Sequence, residues 1–335
     1  MKTPRTRVQR RPVHGVLLLD KPLGLSSNDA LQKAKWLLRA EKAGHTGTLD
    51  PLATGVLPLC FGAATKFSAL QLDAVKTYEA TAVLGIKTST GDAEGAVISE
   101  REVNVTDADL QRVQQQFMGK QRQIPPMHSA LKRDGKPLYE YARQGIELER
   151  ESRDIEVYSL VLKRFEPSFE SVAQADSARG AIKIIVTVSK GTYIRTLGED
   201  IGEALGCGAH LSSLRRTDTG GLGLGNAYTL AQLEAMLDAD RMAALQPVDS
   251  LLAGHQAVTL DNDNAGRFLS GLRRRTELPD NAHVAVYGDT PKALLGSAHI
   301  KAGELIPTRL LSPIEVSQIL TQDVTQNALA SPVLN

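Results

Sequence analysis

From Lys76 to Ile86 the chain alternates, and this leaves few folds open. Tyr78, Ala80, Ala82, Leu84 and Ile86 fall on one side, and Thr77, Glu79 and Thr81 on the other. A period of two places one face of a strand on a core and the other in water. Residues 15–19 and 182–188 read as further short strands. Between them the period changes to that of a helix. Ser26-Ser27-Asn28 caps a helix reaching about Leu38, with Leu31, Ala34, Leu37 and Leu38 on one face. Thr106 opens another, carrying Leu110, Val113 and Phe117 and stopping at Gly119. A third starts near Thr192, turns Ile194, Leu197, Ile201 and Leu205 inward and ends at Gly206. Thr229 and Gln232 predict a capping box. These periods support a chain of alternating strands and helices.

With 335 residues the chain holds two domains, or one large domain with an appendage. Near Ser250–Gly254 its character changes. Val284–Tyr287, Leu294–Ile300 and Glu304–Leu310 read as small strands between Gly and Pro turns, a compact β-rich module. No apolar run approaches the ~18 residues of a membrane span, and Val16–Leu19 is too short for a signal peptide. Cys60 and Cys207 lie far apart, which excludes a cysteine-built metal cluster and argues against a disulfide scaffold. A cytoplasmic, reducing setting is expected.

The net charge of +1 does not announce a nucleic-acid binder, so the argument rests on where charges sit. Residues 1–12 carry Lys2, Arg5, Arg7, Arg10 and Arg11 with no acid, and predict a mobile basic arm. Residues 120–153 form a loop-rich insertion containing Lys132, Arg133, Lys136 and Arg143, broken by Pro125-Pro126 and Asp134-Gly135, with one short helix near Pro137–Arg143. Arg215-Arg216 and Arg273-Arg274-Arg275 are further clusters. Cations collected in patches suit a specific RNA or DNA binder, although charge runs are more often solvated faces. Residues 313–335 are expected to be a disordered tail.

Gly44-His45-Thr46-Gly47-Thr48-Leu49-Asp50-Pro51-Leu52-Ala53-Thr54-Gly55 predicts a rigid loop. It lacks the Gly-Lys-Ser/Thr of a phosphate loop, which removes that class of NTPase, and it is not a dinucleotide fingerprint. Asp50 in such a loop is presented for chemistry or caps a turn.

This segment resembles the catalytic motif of the TruB family, the bacterial tRNA pseudouridine-55 synthases. Gly15–Ser26, Lys76-Thr77-Tyr78-Glu79-Ala80, Pro125–Lys132, Lys190–Leu197 and Leu214-Arg215-Arg216 resemble further motifs of that family, in the same order. The resemblance covers about residues 13–250 and extends more weakly into the C-terminal module. It implies a mixed α/β fold of the α+β type: a pseudouridine synthase domain over 13–250 around a largely antiparallel central sheet, with an RNA-clasping insertion, followed by a PUA-like β-barrel over 251–312.

The implied reaction breaks the N1–C1′ bond of a T-loop uridine, turns the uracil and rejoins it through C5. It needs no redox change or group transfer, so no cofactor and no metal are expected. By resemblance Asp50 is the carboxylate nucleophile, with attack at C1′, addition at C6 and assisted elimination all open to it. Arg195 is the cation that keeps it ionised, and Asp92 is the arginine's partner. Tyr78 stacks on the target base and serves proton transfer, although periodicity alone reads it as a core tyrosine. His45 fills the space left by the flipped base. Lys21 braces the active-site loop or contacts RNA, and Leu214 walls the pocket. Lys132, Arg133, Lys136 and Arg143 contact phosphates of the T arm. The expected partner of this enzyme is tRNA, with no membrane; a monomer is expected. An rRNA- or guide-RNA-dependent synthase and a non-catalytic tRNA-folding helper are the alternatives.

Overall fold

The computed structural model describes residues 9–165 and 180–330. In chain order the elements begin with β1 (Gly15–Lys21), α1 (Ser27–Leu37), β2 (Ala43–His45), β3 (Ala53–Phe61), β4 (Lys76–Leu84), β5 (Ile86–Thr88) and β6 (Val97–Glu100). Next come α2 (Asp107–Gln116), β7 (Gly119–Gln123), β8 (Lys132–Arg133), β9 (Lys136–Pro137), α3 (Leu138–Ala142), β10 (Arg153–Phe165) and β11 (Ala181–Val188). Then follow α4 (Ile194–Ala204), β12 (Ala209–Thr219), β13 (Leu222–Gly223), α5 (Leu230–Ala235) and α6 (Asp238–Ala243). The last are β14 (Gln256–Leu260), α7 (Asn262–Leu269), β15 (Arg274–Arg275), β16 (Asn281–Gly288), β17 (Ala293–Lys301), β18 (Glu304–Leu310) and α8 (Pro313–Ala330).

They pack as two compact units. One holds the described residues up to Asp50, Leu57–Leu72 and the chain from Gly225 on; the other holds Pro51–Val56 and Asp73–Leu224. In the second unit the first residues of β3 pair in parallel with β12, Leu214 opposite Ala53 and Arg216 opposite Gly55. The remaining pairings, β12–β4, β4–β11, β11–β10 and β10–β7, are antiparallel. On β4, Tyr78, Ala80 and Ala82 are buried and Thr77, Glu79 and Thr81 half-exposed, as the alternation requires, until Val83 and Leu84, both buried. α4 lies close on β12. A Cβ at Gly202 would come within 2.3 Å of the Ala209 nitrogen, and one at Gly198 within 2.7 Å of Leu211.

In the first unit the later half of β3 carries β2, His45 opposite Leu59. β14 to β18 form a separate five-stranded sheet in the order β14-β16-β17-β18-β15, closed over Phe268, Val284, Val286, Leu295 and Ile300. It fits the PUA-like module expected there.

Two expectations need correction, the disordered tail and the mobility of the basic arm at Arg11. Residues 313–330 are not a disordered tail but α8. Ser312 and Glu315 form a reciprocal cap at its start, and Pro313 is its first residue. Lys66 pairs with Glu315 at 2.6 Å. Gln322 bonds both backbone groups of His14, accepting from its nitrogen at 3.0 Å and donating to its oxygen at 2.6 Å. Residues 331–335 lie outside the described residues, as do 1–8 of the basic arm. Its Arg11 is held, donating to Asp238 at 2.7 and 2.9 Å.

Candidate active site

The Gly/Thr-rich segment is shorter as a loop than its composition predicts. Gly44 and His45 belong to β2 and Ala53–Gly55 to β3, so only residues 46–52 are irregular. Asp50 lies in this stretch, half-buried. Its predecessor is fixed by Ser27, the first residue of α1 and 2% exposed. The Ser27 hydroxyl accepts from the Leu49 nitrogen at 2.8 Å and donates to the Leu49 oxygen at 3.0 Å. The sequence reads Ser27 as part of a helix cap, but Ser26 does the capping. Lys21 is fully buried, and its ammonium donates to the Pro22 and Leu25 carbonyls at 3.0 and 2.6 Å. Its ammonium is thus tied to the turn that follows β1.

The second unit brings Asp92 and Arg195 together. Arg195 stands in the first turn of α4, and its Nη1 lies 3.3 Å from Asp92 Oδ2, with side chains only 6% and 4% exposed. Nη1 also donates to the Thr90 carbonyl at 3.1 Å, and Nη2 to the His128 carbonyl at 2.7 Å. The other Asp92 oxygen accepts from the Thr90 hydroxyl at 2.5 Å and the Glu94 nitrogen at 3.1 Å. With both oxygens occupied, this carboxylate holds an arginine and is not arranged as a metal ligand. Ion pair and hydrogen bonds together offset the desolvation of the two charges.

A cavity of about 540 Å³ shares Thr90 and His128 with this pair and is also lined by Thr196, Glu199, Ile146 and Arg150. Burial pushes the Glu199 carboxyl above the usual range, while Lys87 and Arg195 pull it back. Nothing in the spacing of α4 singles out Glu199.

Tyr78 is 8% exposed on β4, opposite Arg216 on one side and Val186 on the other. Leu214, 8% exposed, lies opposite Ala80. Burial and the Arg216 charge push Lys76 down to about 8. Arg216 is not part of a basic surface patch. It is 1% exposed and donates from Nε to the Val56 carbonyl at 2.8 Å. Gly55 makes that approach possible: its φ is +101°, and a Cβ there would fall 2.1 Å from the Arg216 oxygen.

The insertion presents its cations on a small scaffold. Lys132-Arg133 and Lys136-Pro137 pair as β8 and β9 around Asp134-Gly135, both at positive φ. α3 follows, and Lys136 sits 4.7 Å over the Tyr141 ring and Arg143 5.2 Å over Tyr139. Lys132, Arg133 and Arg143 are exposed and Lys136 half-buried.

The family model for TruB family pseudouridylate synthase (N terminal domain) matches residues 35–194. A tRNA pseudouridine synthase B of Verminephrobacter eiseniae is 64% identical over 319 residues, 94% of either chain. The chain belongs to the TruB family of pseudouridine synthases. Models for the tRNA pseudouridylate synthase B C-terminal domain and for Pseudouridine synthase II TruB, C-terminal, match 195–253 and 257–311. A second TruB relative, the tRNA pseudouridine synthase B of Cupriavidus taiwanensis, is 54% identical over 91% of this chain and 96% of its own. Among solved structures, a chain of a Cbf5-Nop10-Gar1 complex is 25% identical with a TM-score of 0.66, covering 90% of this chain and 87% of that one. A chain of an H/ACA RNP bound to a substrate RNA, 23% identical with a TM-score of 0.63, shows the same fold. Among the described residues of this TruB-family chain, no helix is long and apolar enough to cross a membrane.

Proposed function

We propose that this chain isomerises the T-loop uridine at position 55 of tRNA to pseudouridine. The observation that carries the reading is the buried Asp92–Arg195 pair at the head of α4, in a chain 64% identical to a tRNA pseudouridine synthase B. The N1–C1′ bond breaks, uracil turns, C5 bonds to C1′, and the proton that C5 loses balances the one N1 gains. Asp50 is the nucleophile. Arg195, its pose fixed by Asp92, supplies the cation that keeps a carboxylate ionised in a closed site. Tyr78 stacks on the base and moves the proton, and Leu214 walls the pocket. His45 replaces the flipped base in the RNA stack. Lys132, Arg133, Lys136 and Arg143 bind T-arm phosphates, and Lys21 braces the loop. The chemistry calls for neither metal nor cofactor; a monomer acting in the cytoplasm suffices.

The test is incubation with unmodified tRNA transcripts and mapping of pseudouridine by carbodiimide-stop primer extension. One new stop at the T-loop uridine, absent with Asp50→Asn, supports reaction, site and nucleophile together. Tight binding without modification would replace this reading by that of a tRNA-folding helper. Modification confined to rRNA, or requiring an added guide RNA, would move the substrate while keeping the chemistry.

A further inference from the structure

Gln123 is a buried polar side chain, 4% exposed, at the last position of β7 and the root of the insertion. Its amide spans the backbone of Tyr193. Oε1 accepts from the Tyr193 nitrogen at 2.8 Å, and Nε2 donates to the Tyr193 oxygen at 3.0 Å. Tyr193 is the N-cap of α4 and gives that helix no side-chain cap of its own. Its carbonyl also accepts the Leu197 nitrogen at 3.0 Å, a bond of the first helical turn. A helix start needs outside partners for its first backbone N–H groups, and here a distant side chain supplies the one for Tyr193. The later turns of α4 are fixed independently by the close approach of Gly198 and Gly202 to β12. The entry to the helix, two residues before Arg195, is fixed by Gln123.

We propose that Gln123 is a positioning residue for the pseudouridylation reaction, setting the pose of Arg195 by clamping the Tyr193 backbone from the root of the insertion. The inference rests on the role given to Arg195 above. The insertion then grips the arginine twice: Gln123 holds the start of its helix, and the His128 carbonyl takes its Nη2 at 2.7 Å. A displaced insertion root therefore displaces the guanidinium. A misplacement of about 1 Å at a catalytic group costs up to about a hundredfold in rate.

Three variants test this with tRNA under single-turnover and steady-state conditions. Gln123→Met keeps the volume and removes both bonds; kcat is expected to fall about tenfold to a hundredfold with the KM for tRNA little changed. Gln123→Glu is the decisive variant. Its carboxylate accepts from the Tyr193 nitrogen but has no proton for the Tyr193 oxygen, and burial raises its pKa. Protonation restores the donor, so the kcat of Gln123→Glu relative to wild type should climb as pH falls from 8 to 5.5. The third is the double variant Gln123→Met with Arg195→Lys, which should be no slower than Arg195→Lys alone.

A merely structural glutamine would lower the melting temperature and leave a pH-independent kcat ratio, and that result overturns the proposal. So do wild-type kcat in Gln123→Met and additive losses in the double variant. If Gln123→Met does not fold, the pH ratio of Gln123→Glu decides alone. Full turnover in Arg195→Lys overturns the arginine's assignment, and this inference with it. A slow Arg195→Lys beside Gln123 variants of wild-type kcat overturns this inference only.

Discussion

Asp92 Oδ2 and Arg195 Nη1 stand 3.3 Å apart with their side chains almost wholly removed from water. Such a pair costs about 3–5 kcal/mol when one partner is removed, because the other charge stays buried. Asp92→Ala should lose about that much in urea unfolding. Arg195→Lys replaces a planar fork bonded to Thr90, Asp92 and His128 by one ammonium. It should fold and lose most of its kcat with little change in KM. Turnover near wild type would show that the planar fork is not needed.

Ser27→Ala leaves the Leu49 nitrogen and oxygen without the hydroxyl that engages them. The stability loss should be about 1–3 kcal/mol. Because Leu49 directly precedes Asp50, kcat should fall about tenfold or more at unchanged tRNA affinity. Single-turnover rates compared with filter-binding constants check this. Loss of stability with wild-type kcat would make Ser27 a scaffold residue only.

The exposed cations of the insertion should show in the salt dependence of tRNA binding. Each phosphate contact removed from among Lys132, Arg133, Lys136 and Arg143 should flatten the slope of log K against log salt by about 0.7–0.9. Substituting them one by one with glutamine and titrating at several salt concentrations reads this directly. An unchanged slope would remove these residues from the RNA interface.

His14 makes the docking of α8 sensitive to acid. Its Nδ1 accepts from the Ala63 nitrogen at 3.0 Å, so the ring is neutral and Nε2 donates to Gln318 at 3.1 Å. Burial holds its pKa below the usual 6.5, against Gln318, Glu315 and Glu41, which pull it up. The unfolded chain then binds the proton more readily. The stabilisation is full above about pH 6.5 and is lost as pH falls through the lowered value. Hydrogen-exchange protection of α8 should decline between pH 7 and 5. His14→Phe should remove this component of the decline.

The alternation of β4, the caps of α2 and α5 and the strands of the C-terminal sheet are visible in the sequence because local period and cap chemistry decide them. α8 carried an equally local signal, Ser312-Pro313-Ile314-Glu315, hidden by the polar composition that follows. Ser27 and Gln123 were illegible for a different reason. Each acts on a backbone 22 or 70 residues away, and no periodicity reports such a partner. Arg216 misled because paired arginines read as surface, whereas β12 turns one of them into the interior. Asp50, Asp92 and Arg195 stood out through the resemblance, not through their spacing.

The parallel pairing of β3 with β12 has a temporal side. Thr54 donates to the Leu214 carbonyl at 3.5 Å across 160 residues of chain. During synthesis at about 5–20 residues per second, Pro51–Val56 must wait on the order of ten to thirty seconds for its partner to leave the ribosome. Throughout that interval Ala53–Gly55 is a strand edge still lacking its β12 neighbour, the kind of segment that recruits other chains, whereas Leu59–Phe61 already has β2 beside it.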